Sequence, residues 1–263
     1  MKKNHRATLK PITEHCYALA ETLVSFGEYD MLQTSNWLQV ASSVKSVGID
    51  LVRYDKQFGW CSGADEYTMA KETIFKDFVT NLSIFTFTWG ALESAIDQID
   101  PPPHPDKNMQ GKINSACYYI CNHFKSRLLV KPYRDLLSRF QSKLSQSIAC
   151  GALAKTLKIP HHIRLEAFGL YAVYKVRNML AHGGMSFPEP EPKEHRAISP
   201  DPILIETATR ILLLSMQMLL IAHYAGRNLT VERERSGEEK DVPLTEWLRV
   251  LHYSEVESED SFI

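Results

Sequence analysis

Apolar residues recur along this chain at the three- and four-residue spacing of amphipathic helices, and scarcely anywhere with the alternation of a strand. The clearest run is Phe78, Leu82, Phe85, Trp89, Leu92, Ile96 and Ile99, alternately four and three apart, within a helix predicted from Glu66 to about Ile99. Such a seam belongs to a helix packed lengthwise in a bundle. Further helices are predicted over 11–26, 31–47, 51–58, 108–129, 132–150, 164–182 and 203–225, with a short one over 243–251 around Trp247. The stretch 203–225 is apolar almost all round and reads as the most buried helix, and its most apolar part, Ile211 to Ala222, is too short to cross a bilayer.

Punctuation divides the chain. Gly59 to Asp65 separates an N-terminal helical subdomain, 1–65, from a helical bundle, 66–227. Asp100-Pro-Pro-Pro-His-Pro forces an extended connection. Met185 to Pro202, with five prolines, reads as a semi-rigid lid or partner-binding edge beside the preceding helix. Past Asn228 the segment 228–263 turns acidic, with a loose end. The fold class that follows is all-α.

Composition changes this picture little, but charge does. A hydrophobic content of 44% with 23% charged residues is ordinary for a globular chain. The five cysteines form no CxxC pair and are odd in number, so neither a disulfide framework nor a zinc ribbon is indicated. Cys117 and Cys121, four apart on one helix near His123, read as packing residues, and no metal site is expected. The start of the chain is polar, without the apolar run of a signal peptide, and a cytoplasmic protein with no membrane contact is expected. The net charge is −1, yet between His123 and His182 eleven Lys or Arg face only Asp135 and Glu166, a local net of +9. A basic segment interleaved with Tyr133, Tyr171 and Tyr174 is a plausible track for a phosphate backbone.

That segment ends in the helix with the most chemistry. Leu165, Phe168, Ala172, Val176, Met179 and Leu180 gather on one side, while the other displays Arg164, Tyr171, Tyr174, Lys175, Arg177, Asn178 and His182. Asn178 and His182 stand one above the other at i,i+4, and the long arm of Arg177 reaches the same patch. Gly183-Gly184 marks the helix stop and leaves His182 in the last turn. A cation, an amide and an imidazole can thus converge on one small anion. The chain lacks a GxxxxGK phosphate loop, a GxGxxG turn, an HExxH pair, the Glu-x-x-His pairs of di-iron bundles and a GxSxG elbow. An Arg with a His and no paired carboxylates suits phosphodiester cleavage without metal, since RNA supplies its own 2′-hydroxyl nucleophile.

The string Val-Arg-Asn-Met-Leu-Ala-His-Gly, from Val176 to Gly183, resembles the signature of the HEPN superfamily, an Arg, four to six residues, then His. Asn178 after Arg177 matches many active members, and Phe85-x3-Trp89-x2-Leu92-Glu93 resembles the first helix of several HEPN families. The resemblance covers about Glu66 to Arg227. It implies a HEPN-like antiparallel helical bundle with an N-terminal helical extension. It also implies a metal-independent endoribonuclease without cofactor that leaves a 2′,3′-cyclic phosphate and a 5′-hydroxyl. In that reading Arg177, Asn178 and His182 are catalytic, and Glu93 supports Arg177. Arg164, Tyr171, Tyr174 and Lys175 form either an RNA-binding face or a dimer seam. The expected partners are RNA, a second copy completing a composite active site, and an antitoxin or sensor subunit, in a toxin or antiviral-defence setting. The alternative is a non-catalytic HEPN interaction module in such a complex.

Overall fold

The stretch that is apolar on every side becomes the axis of the protein. In the computed structural model, which describes residues 8–25, 31–56, 58–191, 197–235 and 238–254, helix α8 (Pro200–His223) is buried at every residue from Ile211 to Ala222. It starts earlier than the periodicity suggests, because Ser199 Oγ accepts the Asp201 amide at 3.2 Å and Pro200 is pre-set for a first helical position. Helix α8 is by length and composition apolar enough to span a bilayer, but 83% of its most apolar window is buried inside the protein. Its packing partners are α1 (Ile12–Ser25), α3 (Ser62–Ile99), α4 (Lys112–His123), α5 (Tyr133–Gln146) and α7 (Leu165–Ala181).

The described chain is mostly helical, and its one sheet is a two-stranded hairpin. The seam of α3 packs as its spacing requires: Phe78, Phe85, Trp89, Leu92, Ile96 and Ile99 are buried and Leu82 is half-buried. Helix α3 already begins at Ser62, so Glu66 falls inside it. The N-terminal pair, α1 with α2 (Leu32–Ser43), docks on this frame, where the Trp37 ring lies 3.0 Å from the position a β-carbon at Gly90 would take. Thr34 donates a hydrogen bond to Ser94 at 3.1 Å across the same contact.

Three predicted helices differ for local reasons. Residues 51–58 are turns where described: the Asp50 carboxylate takes the Arg53 amide (2.9 Å) and Glu72 takes that of Leu51 (3.0 Å), so side chains replace helical acceptors. The 132–150 helix stops at Gln146, the Ser147 hydroxyl accepts the Cys150 amide at 3.1 Å, and a short α6 (Gly151–Thr156) follows. The 108–129 helix contracts to α4, flanked by single 3₁₀ turns at Lys107–Met109 and Ser126–Leu128.

The acidic segment hides a hairpin, β1 (Thr230–Arg235) against β2 (Glu238–Pro243), pairing Val231 with Val242 and Glu232 with Asp241. Its register rests on backbone pairing, since only Val231 among its described side chains is buried, and the sequence therefore lacks an apolar alternation. After α9 (Leu244–Trp247) the chain returns to the N-terminus, with Leu9 bridged to Tyr253 and the Ser254 amide on the Thr8 carbonyl at 2.8 Å. A buried polar network fastens this return. Gln217 of α8 accepts from His15 Nε2 at 2.9 Å, donates to the Leu248 carbonyl and approaches His252 Nδ1 at 3.3 Å, while His252 Nε2 donates to the Lys131 carbonyl.

Candidate functional site

Helix α7 is held to the bundle mainly through its first half. The Tyr133 hydroxyl, buried between α5 and α7, donates to the Glu166 carbonyl at 3.0 Å and accepts the Gly169 amide at 2.9 Å. Only glycine fits there, because a β-carbon at 169 would stand 2.4 Å from that oxygen and 2.7 Å from Ile211 Cγ2. The Cys117 thiol donates to the Ala167 carbonyl at 3.7 Å and Cys121 Sγ accepts the Arg164 amide at 3.4 Å, so α4 runs antiparallel beside α7. Both cysteines are thereby engaged in packing, and no group of three or more His, Cys, Asp or Glu suited to a metal ion occurs among the described residues.

The far end of α7 carries the Arg-His pair. Gly183 adopts φ +66°, the Gly184 amide reaches the Met179 carbonyl at 2.7 Å and the Gly183 amide reaches Leu180 at 3.2 Å, a left-handed stop that closes the helix at His182. His182 is exposed, Asn178 is half-buried, and neither side chain has a hydrogen-bond partner among the described residues. One face of the helix end therefore offers an amide and an imidazole, one turn apart, to solvent.

Arg177 is half-buried, and its neighbour is a ring. The guanidinium carbon lies 5.5 Å from the Trp89 ring centroid. Glu93, the expected partner, is half-buried one turn further along α3 and forms no ion pair with Arg177 among the described residues. This difference is chemically consequential, because a carboxylate would neutralise the guanidinium and occupy its donors, whereas an indole face attracts the cation while leaving its N–H groups directed elsewhere. The sequence places Trp89 in the core seam and in the stretch that resembles a HEPN first helix, without a role toward Arg177, and the signal available was an aromatic residue one turn before Glu93.

The remaining residues of the polar side separate into two groups. Tyr174 stacks on Trp89, with centroids 6.2 Å apart and planes 16° from parallel, and Lys175 Nζ stands 5.0 Å from the Tyr171 ring and 5.8 Å from the Tyr174 ring. Tyr174 shares the Trp89 ring with Arg177, and Lys175 joins Tyr174 to Tyr171, which lies nearer the start of the helix. Arg164 stands apart: thirteen residues from Arg177, about 20 Å along the helix, its guanidinium donates to the Phe124 carbonyl at 3.1 Å and lies 3.7 Å from the Glu166 carboxylate. Arg164 thus ties the α4 terminus to α7 and is removed from the site.

The loop after Gly184 is partly pinned. Phe187 packs against Phe75 (5.4 Å) and Phe78 (6.1 Å), and Glu189 accepts from Lys71 at 2.7 Å and from the Tyr67 hydroxyl, so residues 185–191 run along α3 toward its start. The central part of the expected lid, 192–196, lies outside the described residues. Two surface hollows, of about 400 Å³ at Ser147 to Lys155 and about 530 Å³ between Lys10 and Trp247, include neither Arg177 nor His182. Residues 181–184 at the helix end are exposed while Arg177 and Asn178 are half-buried.

No family model matches the chain. Neither curated proteins nor solved structures yield a match.

Proposed function

We propose that the chain is a metal-independent endoribonuclease with a HEPN-like bundle, acting through the exposed end of α7. The observation that carries this reading is a guanidinium held against the Trp89 indole, on the same helix end as an exposed imidazole, with neither group paired to a carboxylate or other hydrogen-bond partner among the described residues. In the reaction His182 accepts the 2′-hydroxyl proton or donates one to the departing 5′-oxygen. The bond from O2′ to phosphorus forms as that to O5′ breaks, giving a 2′,3′-cyclic phosphate and a 5′-hydroxyl. Arg177 neutralises the charge that grows on the phosphoryl oxygens, and Asn178 orients the phosphate or the imidazole.

Among the described residues one chain supplies one imidazole at this end, so a second copy bringing its own His182 would provide both proton acceptor and donor. The exposure of residues 181–184 at the helix stop supports that arrangement. A role in a toxin or antiviral system, with an antitoxin or sensor as partner, belongs to the same proposal through the family resemblance alone.

The test is RNA cleavage in excess EDTA by the wild type, Arg177→Ala and His182→Ala, with products resolved by end chemistry. Loss of cleavage by both folded variants, with 2′,3′-cyclic ends from the wild type, is expected. Cleavage that requires added divalent metal, or a wild type that cuts no RNA in any oligomeric state, refutes the mechanism. Melting of Arg177→Ala without any wild-type cleavage supports the second reading, a scaffold in which the Arg177–Trp89 contact only joins α7 to α3.

A further inference from the structure

We infer that Tyr171, Lys175 and Tyr174 form a nucleobase-stacking subsite that holds single-stranded RNA alongside the Arg177–His182 end; this rests on the ribonuclease reading for its substrate. Tyr174 is half-buried and lies nearly parallel to Trp89, which is only 4% exposed. Its orientation is therefore fixed by packing before any ligand arrives, so little ordering is left for binding to impose. Tyr171 and Tyr174 are three residues apart on one helix face, and Lys175 Nζ lies within 5.0 and 5.8 Å of their centroids. Neither tyrosine hydroxyl has a hydrogen-bond partner among the described residues, so packing does not commit the polar edges of the rings. Beneath them Trp89 Nε1–H is buried with no acceptor among the described residues.

Charge decides between a polyanion and a second copy as the occupant. Lys175 and Arg177 have no carboxylate partner among the described residues, and the one acid of α7, Glu166, is buried near its opposite end beside Arg164. Of the acids late in α3, Asp97 is engaged by Lys112 at 2.6 Å and Glu93 pairs with no cation among the described residues. A two-fold seam along this face would set Lys175 and Arg177 against their own copies, while a phosphate chain supplies the missing counter-charge. Aromatic faces with adjacent cations are the elements that bind single-stranded nucleic acid without reading base edges. Along the axis Tyr174 lies about 12 Å from His182 and Tyr171 about 17 Å. A strand laid from His182 along α7 thus stacks its flanking bases there, clear of the scissile bond, and a dimer would meet at the helix tip.

The test uses the full chain carrying His182→Ala, so that RNA is bound without being cut, and compares a short fluorescent oligoadenylate with an abasic ribose-phosphate oligomer of equal length. Oligoadenylate is expected to bind about tenfold more tightly, the difference for one stacked base, and Tyr174→Ala is expected to abolish that difference while Tyr174→Phe keeps it. Lys175→Ala should weaken both oligomers equally and lower the salt slope by about one. Equal binding of the two oligomers by the parent chain overturns the subsite. So does a change of mass in light scattering caused by Tyr174→Ala without any change in RNA preference, which would identify a dimer seam. Base-dependent binding with no cleavage by the chain with His182 intact sinks the nuclease and leaves the subsite standing. Cleavage without base-dependent binding does the reverse.

Discussion

Lowering the pH from 6.5 toward 4 should loosen the return of the C-terminal segment onto the N-terminal helices, and His252 sets the size of the effect. The tautomers in its network are forced. The Lys131 carbonyl can only accept, so His252 Nε2 carries a hydrogen, and the Gln217 amide nitrogen, fixed by the Leu248 carbonyl, can only donate, so Nδ1 must offer a lone pair. A proton on Nδ1 would face another N–H in a site where His252 is 1% exposed. Burial lowers its pKa from 6.5 to about 4, with the Lys131 carbonyl opposing and the Lys10 charge adding to the shift. His15 is lowered in the same direction, first by burial and then by His252.

The sign follows from linkage. Above pH 6.5 neither the folded nor the unfolded state binds this proton, whereas between 6.5 and about 4 the unfolded chain binds it and the fold does not. Stability therefore falls with acidification over that window, by about 2 kcal/mol at pH 5 and about 3 kcal/mol in all from His252. The assay is urea unfolding across the window for the wild type and His252→Asn, which lacks the titrating group. The variant should start less stable at neutral pH yet show a flatter dependence, by close to one proton, while carboxylates that titrate in both chains cancel in the comparison. Parallel pH profiles for the two chains would show that His252 is free to protonate in the fold and would refute the forced-tautomer argument.

Three further outcomes are expected. Gly169→Ala should lower stability by at least about 2 kcal/mol through overpacking against Tyr133 and Ile211, and Tyr133→Phe in the same chain should recover part of the lost melting temperature by removing the nearest atom. Trp89→Leu should slow RNA cleavage and weaken its dependence on Arg177, with Trp89→Phe intermediate, since a cation–π contact contributes about 1 kcal/mol. Glu93→Gln should leave the cleavage rate unchanged, because no ion pair joins it to Arg177; a fall like that of Arg177→Ala would restore the carboxylate to the site.

Much of the helical frame is written in local pattern. The seam of α3, the all-round apolarity of α8 and the stop at Gly183 are periodicity and backbone-conformation effects, which act within a few residues and survive without knowledge of neighbours. The arrangement of Arg177, Asn178 and His182 on one helix end is legible for the same reason, since it depends only on 3.6 residues per turn. What a side chain meets across a helix boundary is not local. Spacing shows only that Trp89 and Glu93 stand one turn apart on one helix, and the meeting of α3 with α7 gives the guanidinium an indole as its neighbour. The same applies to Arg164, whose charge counts toward a basic track in the sequence but is spent on the end of α4 in three dimensions. The charged hairpin after Asn228 and the His15–Gln217–His252 network join residues more than two hundred positions apart or lacking an apolar rhythm, so tertiary contact alone decides them.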